Sequence, residues 1–381
     1  MKEIYLDNAS TTRVSSSVIE LISKVLGEDY GNPSSLHRKG MDAEKYIKEA
    51  KEIISNKLNV NEGEVYFTSC GTESNNTAIL GTYKGYKREG NHYITTRIEH
   101  PSVLESFRFL EDEGAKVDYL NVDSKGYVDL DELENLITED TVLVSIMHIN
   151  NEIGTIQDLE KIGNIIKNKN KDTLFHVDGV QSYGKYDIDA RKSKIDMLSI
   201  SGHKIHAPKG IGALYVKKGL KVRPLLIGGH QQNDFRSGTE NVPYIAALGL
   251  ATKEMEIGRE DIKKVKEYFV SKVEAEIKDS YLIGEDVEKS AYHVADMVFK
   301  GVRSEVLLHA LESDGIYVSS GSACSSNKPS MSGVLKAIGI DAKDIDSSLR
   351  FSFSKYNSTE DMDYVVEKLK KHIDMFRKIM R

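Results

Sequence analysis

Cysteine is scarce in this 381-residue chain. Only Cys70 and Cys324 occur, too few for the disulfide framework of a small secreted protein. The six prolines are scattered rather than gathered into a linker, and no repeat period or low-complexity tract interrupts the sequence. Long hydrophobic runs are missing too. The longest, such as residues 244–251, fall far short of the roughly 20 residues of a membrane span. Positive charge is not in excess: 52 bases against 59 acids leave a formal net charge of −7. That balance argues against capture of nucleic acid or an anionic membrane by charge alone. The opening residues, Met1-Lys2-Glu3-Ile4-Tyr5-Leu6-Asp7, carry acids where a signal peptide carries an apolar run. A cytoplasmic protein is expected.

What is present is a globular composition, 39% hydrophobic and 29% charged, with enough length for a large core and more than one domain. From about Glu64, short apolar runs alternate with longer amphipathic stretches. Val65-Tyr66-Phe67 and residues 141–146, 173–177 and 197–200 read as buried strands. Between them, residues 158–167 set Leu159, Ile162, Ile165 and Ile166 on one helical face. Strand, helix, strand in succession implies parallel pairing with helices on both faces, an α/β class. Near residue 252 the character changes. Residues 253–278 and 358–379 read as long charged amphipathic helices, with strand candidates at 295–299 and 349–352 between them. Ser358, three residues before Asp361, is a capping signal for the last helix. The expected division is a large domain over 15–257, with 1–14 and 258–381 forming a smaller α+β domain that carries Cys324.

In an open α/β sheet, ligands gather at the carboxyl ends of strands. The first strand runs into Ser69-Cys70-Gly71-Thr72-Glu73-Ser74-Asn75-Asn76. Small residues opening a helix suit a phosphate, although an ordinary capped helix reads the same. The Walker lysine and the dinucleotide glycine spacing are both missing. Asp178 ends another strand, and a buried carboxylate there needs a partner. Lys204 follows the next, in Ser201-Gly202-His203-Lys204. The two residues alone fit a salt bridge. Together with the helix start they fit pyridoxal phosphate, which needs a Schiff-base lysine, an acid at its pyridine nitrogen and donors for its phosphate. His176, Asp178, His203 and His206 also permit a metal-hydrolase reading, but the spacing of His203 and His206 suits no regular ligand pair on a strand.

Several motifs in order carry a resemblance. Tyr5-Leu6-Asp7-Asn8-Ala9, Gly31-Asn32-Pro33-Ser34-Ser35 and His148-Ile149-Asn150-Asn151-Glu152-Ile153-Gly154 come first. Asp178-Gly179-Val180-Gln181-Ser182, Ser201-Gly202-His203-Lys204, Arg236-Ser237-Gly238-Thr239-Glu240-Asn241 and Ser319-Ser320-Gly321-Ser322-Ala323-Cys324 follow. From about residue 4 to residue 375 the chain resembles the cysteine desulfurases, fold-type I pyridoxal phosphate enzymes that work as homodimers.

The resemblance implies a role for each matching residue. Lys204 would carry the cofactor and shuttle protons; Asp178 would pair with its ring nitrogen. His100 would stack on its face and help proton transfer. Gly71, Thr72, Ser201 and His203 would hold the phosphate, with Thr239 reaching it from the other subunit. Gln181 would bond the ring oxygen, Asn151 would lie nearby where substrate enters, and Arg350 would grip the substrate carboxylate. Cys324 would take the sulfur of L-cysteine as a persulfide, leaving L-alanine, for an acceptor that is an iron–sulfur scaffold or a tRNA-thiolating enzyme. Three positions depart from the family pattern: Cys70 in the phosphate turn, Gly179 in place of an alanine under the ring, and His206-Ala207 after the lysine. The alternatives are a selenocysteine lyase or other β-eliminating lyase and, further off, a non-catalytic sulfur carrier.

Overall fold

The computed structural model describes residues 2–255, 259–320 and 331–379. Its strands in chain order are β1 (Ile4–Tyr5), β2 (Val65–Thr68), β3 (His92–Thr96), β4 (Lys116–Leu120), β5 (Thr141–Ser145) and β6 (Leu174–Asp178). There follow β7 (Met197–Ser201), β8 (Gly212–Val216), β9 (Ser280–Leu282), β10 (Val294–Phe299), β11 (Ile316–Tyr317) and β12 (Ser348–Ser352). Seven form one sheet in the order β2-β8-β7-β6-β5-β3-β4. Neighbours from β7 to β4 run parallel, whereas β8 is antiparallel to both β7 and β2. Parallel neighbours require crossovers, which the helices Pro101–Asp112 and Leu159–Lys169 help to supply. β5 to β8 are buried along their whole length. Cover on both faces is why they read as nearly unbroken apolar runs.

Side chains still alternate along each strand. In β6, Leu174 enters a core with Ala78 and Ile79 of the helix Gly71–Tyr86. Phe175 and Val177 enter the opposite core, with Ile54, Leu58, Ile162 and Leu248. His176 and Asp178 thus share Leu174's face. His176 is fully buried, one ring nitrogen 2.8 Å from Ser145 Oγ and the other 3.0 Å from Ser199 Oγ.

A second core gathers Phe269, Met297, Phe351, Met362, Val365 and Leu369 beside the antiparallel sheet β12-β10-β9. The first residues join this part, because β1 pairs in parallel with β11. The last helix, Thr359–Ile379, starts at the expected reciprocal cap. Ser358 N–H donates to Asp361 Oδ2 at 2.9 Å, and Asp361 N–H to Ser358 Oγ at 3.2 Å. The helix expected over 253–278 is not one element. Lys253 belongs to the helix Val242–Glu254, and another helix runs Arg259–Glu276. The first packs into the core of the large sheet and the second into the other core.

Burial gives the fold a pH dependence. It pushes the imidazoles of His148, His203 and His206 down to about 4 and of His176 to about 3, and His293 well below its ordinary value. It pushes the carboxyls of Glu99 and Asp296 up to about 8. In the unfolded chain these groups titrate near about 6.5 and about 4. Below about pH 6.5, five imidazoles take protons in the unfolded chain only, while two carboxyls hold them in the folded chain only. The unfolded chain therefore binds more protons, and stability falls as pH is lowered through that window. The thermal midpoint of the cofactor-free protein should drop steadily between about pH 6.5 and about pH 4.5. A midpoint that rises on acidification would contradict this.

Candidate active site

Ten of the residues singled out from sequence line one cavity of about 270 Å³. They are Gly71, Thr72, His100, Asn151, Asp178, Gln181, Ser201, His203, Lys204 and Arg350. The carboxyl ends of β2, β6 and β7 supply most of them, and β12 of the other sheet supplies Arg350.

The helix after β2 is capped by Cys70, whose Sγ accepts the Glu73 N–H at 3.5 Å. Glu73 in turn accepts the Ser69 N–H at 2.7 Å and pairs with Arg236 Nε at 2.9 Å. Cys70 has φ −173°, extended backbone that any residue adopts, so cysteine fits this turn without strain. Gly71 is required by close approach. A Cβ there would lie 2.7 Å from Val180 Cγ2 and 3.3 Å from Ser201 Cβ.

Asp178 Oδ1 accepts the Val180 N–H at 2.9 Å, and Oδ2 accepts Asn75 Nδ2 at 2.8 Å. Asn75 Nδ2 also donates to Ser102 Oγ at 2.9 Å, and that hydroxyl lies 2.8 Å from His100 Nδ1. His100 caps the helix Pro101–Asp112, its Nδ1 accepting the Ser102 N–H at 3.1 Å. Burial lowers the His100 pKa; Asp178 opposes that and Lys204 adds to it, leaving the imidazole below its ordinary value.

Lys204 ends a single 3₁₀ turn, Gly202–Lys204, directly after β7. Its Nζ donates to the carbonyls of Ala9 at 2.5 Å and Ser10 at 2.8 Å. Gln181 Nε2 donates to the same Ala9 carbonyl at 2.9 Å. Thr12 Oγ1 donates to the His203 carbonyl at 2.9 Å, which pins the segment after β1 onto the lysine turn. Arg350 is buried. Its Nη1 donates to the Asn151 carbonyl at 2.9 Å, and its Nη2 to Asp7 Oδ1 at 3.0 Å and Ser10 Oγ at 2.7 Å.

The other expectations fare differently. Thr239 is exposed and lies outside the cavity of its own chain. Cys324 lies outside the described residues. A methyl at Gly179 would press on Leu198 Cδ2 at 2.9 Å and the Ser199 carbonyl at 3.0 Å. Both contacts belong to β7, so glycine here relieves a clash. His206 adopts φ 66°, held by Thr12 Oγ1 on its N–H and the Arg13 carbonyl on its Nδ1, both at 2.8 Å. Its ring is thereby spoken for, as is that of His176. Among the described residues no group of three His, Cys, Asp or Glu could hold a metal ion, and no helix is long and apolar enough to cross a membrane. Asn75 and Ser102, to which the sequence assigned no role, also line the cavity. The available signal was Asn75's place one turn into a helix that begins at a strand end.

Residues 4–365 match the family Aminotransferase class-V. A cysteine desulfurase of Nostoc sp. is 42% identical over 381 residues, covering 99% of this chain and 94% of the relative. Cysteine desulfurase IscS of Dictyoglomus turgidum is 41% identical, covering 99% and 96%. Among solved structures, a NifS-like protein superposes with a TM-score of 0.91 at 38% identity, covering 98% of this chain and 100% of that one. SspA in complex with cysteine gives 0.81 at 34%, covering 93% and 99%. Agreement over nearly the full length, in sequence and in architecture, settles the relationship: the chain belongs to the class-V aminotransferases, pyridoxal phosphate enzymes, and within them to the cysteine desulfurases.

Proposed function

We propose that this protein converts L-cysteine to L-alanine and passes the sulfur, as a persulfide on Cys324, to an acceptor. What carries the reading is one cavity with a lysine, a strand-end carboxylate and a buried guanidinium facing it, in a chain whose relatives are named cysteine desulfurases.

The cavity fits pyridoxal phosphate by its unsatisfied polar atoms. Ser201 Oγ, Gln181 Oε1 and Arg350 Nε are buried without hydrogen-bond partners, a cost that a bound polar group removes. Gly71, Thr72, Ser201 and His203 would hold the phosphate at the positive end of the helix Gly71–Tyr86. Asp178 would pair with the ring nitrogen, Gln181 with the ring oxygen, and Lys204 would hold the cofactor. When bound, the cofactor supplies an electron sink for the negative charge formed at the substrate Cα.

The protein's own groups do the rest. Arg350 binds the substrate carboxylate by paired, charge-assisted hydrogen bonds, with Asn151 beside it. Lys204 Nζ takes the α-proton and returns it, and His100 helps that transfer from the other side as a hydrogen-bond donor. The Cys324 thiolate attacks the substrate sulfur: an S–S bond forms, the Cβ–S bond breaks, and its electron pair stays with the carbon fragment, which becomes alanine on protonation. The persulfide then goes to a protein acceptor, an iron–sulfur scaffold or a tRNA-thiolating enzyme. The assembly we infer is a homodimer, with Thr239 of each subunit reaching the phosphate of the other. Its exposure outside its own cavity supports that arrangement. The two parts of each chain are 15–257 and 1–14 with 258–381.

Cys324→Ala tests the sulfur step. The variant should bind L-cysteine and shift the cofactor absorption, yet form no protein-bound persulfide detectable by intact mass. Full sulfur release by this variant would refute the assignment.

A further inference from the structure

The geometry points to a one-way hydrogen-bond chain, Asp178–Asn75–Ser102–His100, that holds His100 as a neutral imidazole with its proton on Nε2. Asn75 and Ser102 are then positioning residues. The catalytic consequence rests on the desulfurase reading, whereas the chain itself does not.

The direction follows from what each group can do. An ionised carboxylate only accepts, so Asn75 must turn its amide nitrogen towards Asp178 Oδ2, 2.8 Å away. The second hydrogen of that nitrogen goes to Ser102 Oγ at 2.9 Å. Reversing the amide would set Oδ1 against the carboxylate. That oxygen is buried and has no partner, so nothing rewards the reversed form. Ser102 Oγ, already accepting, directs its own hydrogen to His100 Nδ1 at 2.8 Å. A second donor, the Ser102 backbone N–H, reaches the same nitrogen at 3.1 Å. Two donors converge on Nδ1, which must keep its lone pair. The ring proton is left on Nε2.

This arrangement has a use in the reaction. His100 then presents an Nε2–H that donates a hydrogen bond without taking up a proton, since a second proton at Nδ1 would break both bonds and face an N–H. The charged and titratable groups around the ring are Asp178 on β6 and Lys204 and His203 after β7. Asp178 favours the imidazolium; Lys204 and burial oppose it. The chain converts the Asp178 charge into an orientation rather than a second protonation.

The test is nitrogen NMR of the holoenzyme carrying ¹⁵N-labelled histidine, with the His100 signal assigned by its loss in His100→Gln. The expected pattern is a neutral Nε2–H tautomer whose protonation midpoint lies below the ordinary histidine value. Ser102→Ala and Asn75→Ala should each mix the tautomers and raise the midpoint by about one pH unit. Ser102→Thr, which keeps the hydroxyl, should restore the wild-type pattern. An Nδ1–H signal in the wild type, or no change in either variant, would overturn the inference. Loss of desulfurase activity as a reading would leave these signals untouched, so the two failures are distinguishable.

Discussion

Replacing Lys204 by alanine should abolish turnover, with kcat falling by at least about a thousandfold. Two duties end together in that variant, the hold on the cofactor and the proton transfer at the substrate Cα. No neighbour can inherit them. His100 keeps one nitrogen tied to Ser102, and Lys185, a buried lysine that shares a separate small cavity with Lys204, donates to the Gln181 carbonyl at 3.2 Å. Burial pushes the Lys185 ammonium down to about 7, so its labelling is the outcome to exclude. Borohydride reduction of the wild-type holoenzyme followed by peptide mass analysis separates the two. The label should sit on the peptide containing Lys204 and be absent from Lys204→Ala. A label on Lys185, or near-normal turnover without Lys204, would contradict the assignment.

Arg350→Ala should raise the KM for L-cysteine and lower kcat/KM by about ten- to a hundredfold, the worth of one lost charge-assisted interaction. Arg350 is fixed in place by Asp7, Ser10 and the Asn151 carbonyl, so little ordering remains when substrate arrives. Lysine in its place should recover little, because a point charge cannot reproduce two parallel bonds. The substitution also strips the Asp7 carboxylate of its ion-pair partner and should lower the thermal midpoint. Saturation kinetics with circular dichroism melting reads both effects. A variant with unchanged KM would place the carboxylate contact elsewhere.

The sequence was most legible where burial imposes a pattern. β5, β6 and β7 announced themselves because cover on both faces leaves only apolar and small residues. The last helix was readable from its stripe and its Ser358–Asp361 cap. β4 was harder: Lys116, Val117, Asp118 and Tyr119 are exposed or half-exposed at the sheet edge, so no apolar run marks it. The separation of the helix ending at Glu254 from the one starting at Arg259 escaped because charged residues lie on both sides of it. For the site, strand-end logic pointed to Asp178 and Lys204 directly, and the family resemblance supplied Arg350 and His100. It could not find the bond from Asn75 to Ser102, which joins residues 27 apart on two helices. Nor could it show that a methyl at Gly179 would meet Leu198, which only the backbone path reveals.

The central claim is best tested by incubating purified holoenzyme with L-cysteine and measuring alanine, with and without a thiol reductant. The account predicts alanine in excess of enzyme, rising with reductant, because the persulfide on Cys324 must be discharged before the next turnover. Without reductant, alanine should level off near one equivalent per active site. No alanine from a yellow, cofactor-loaded protein in the presence of reductant would contradict the desulfurase reading.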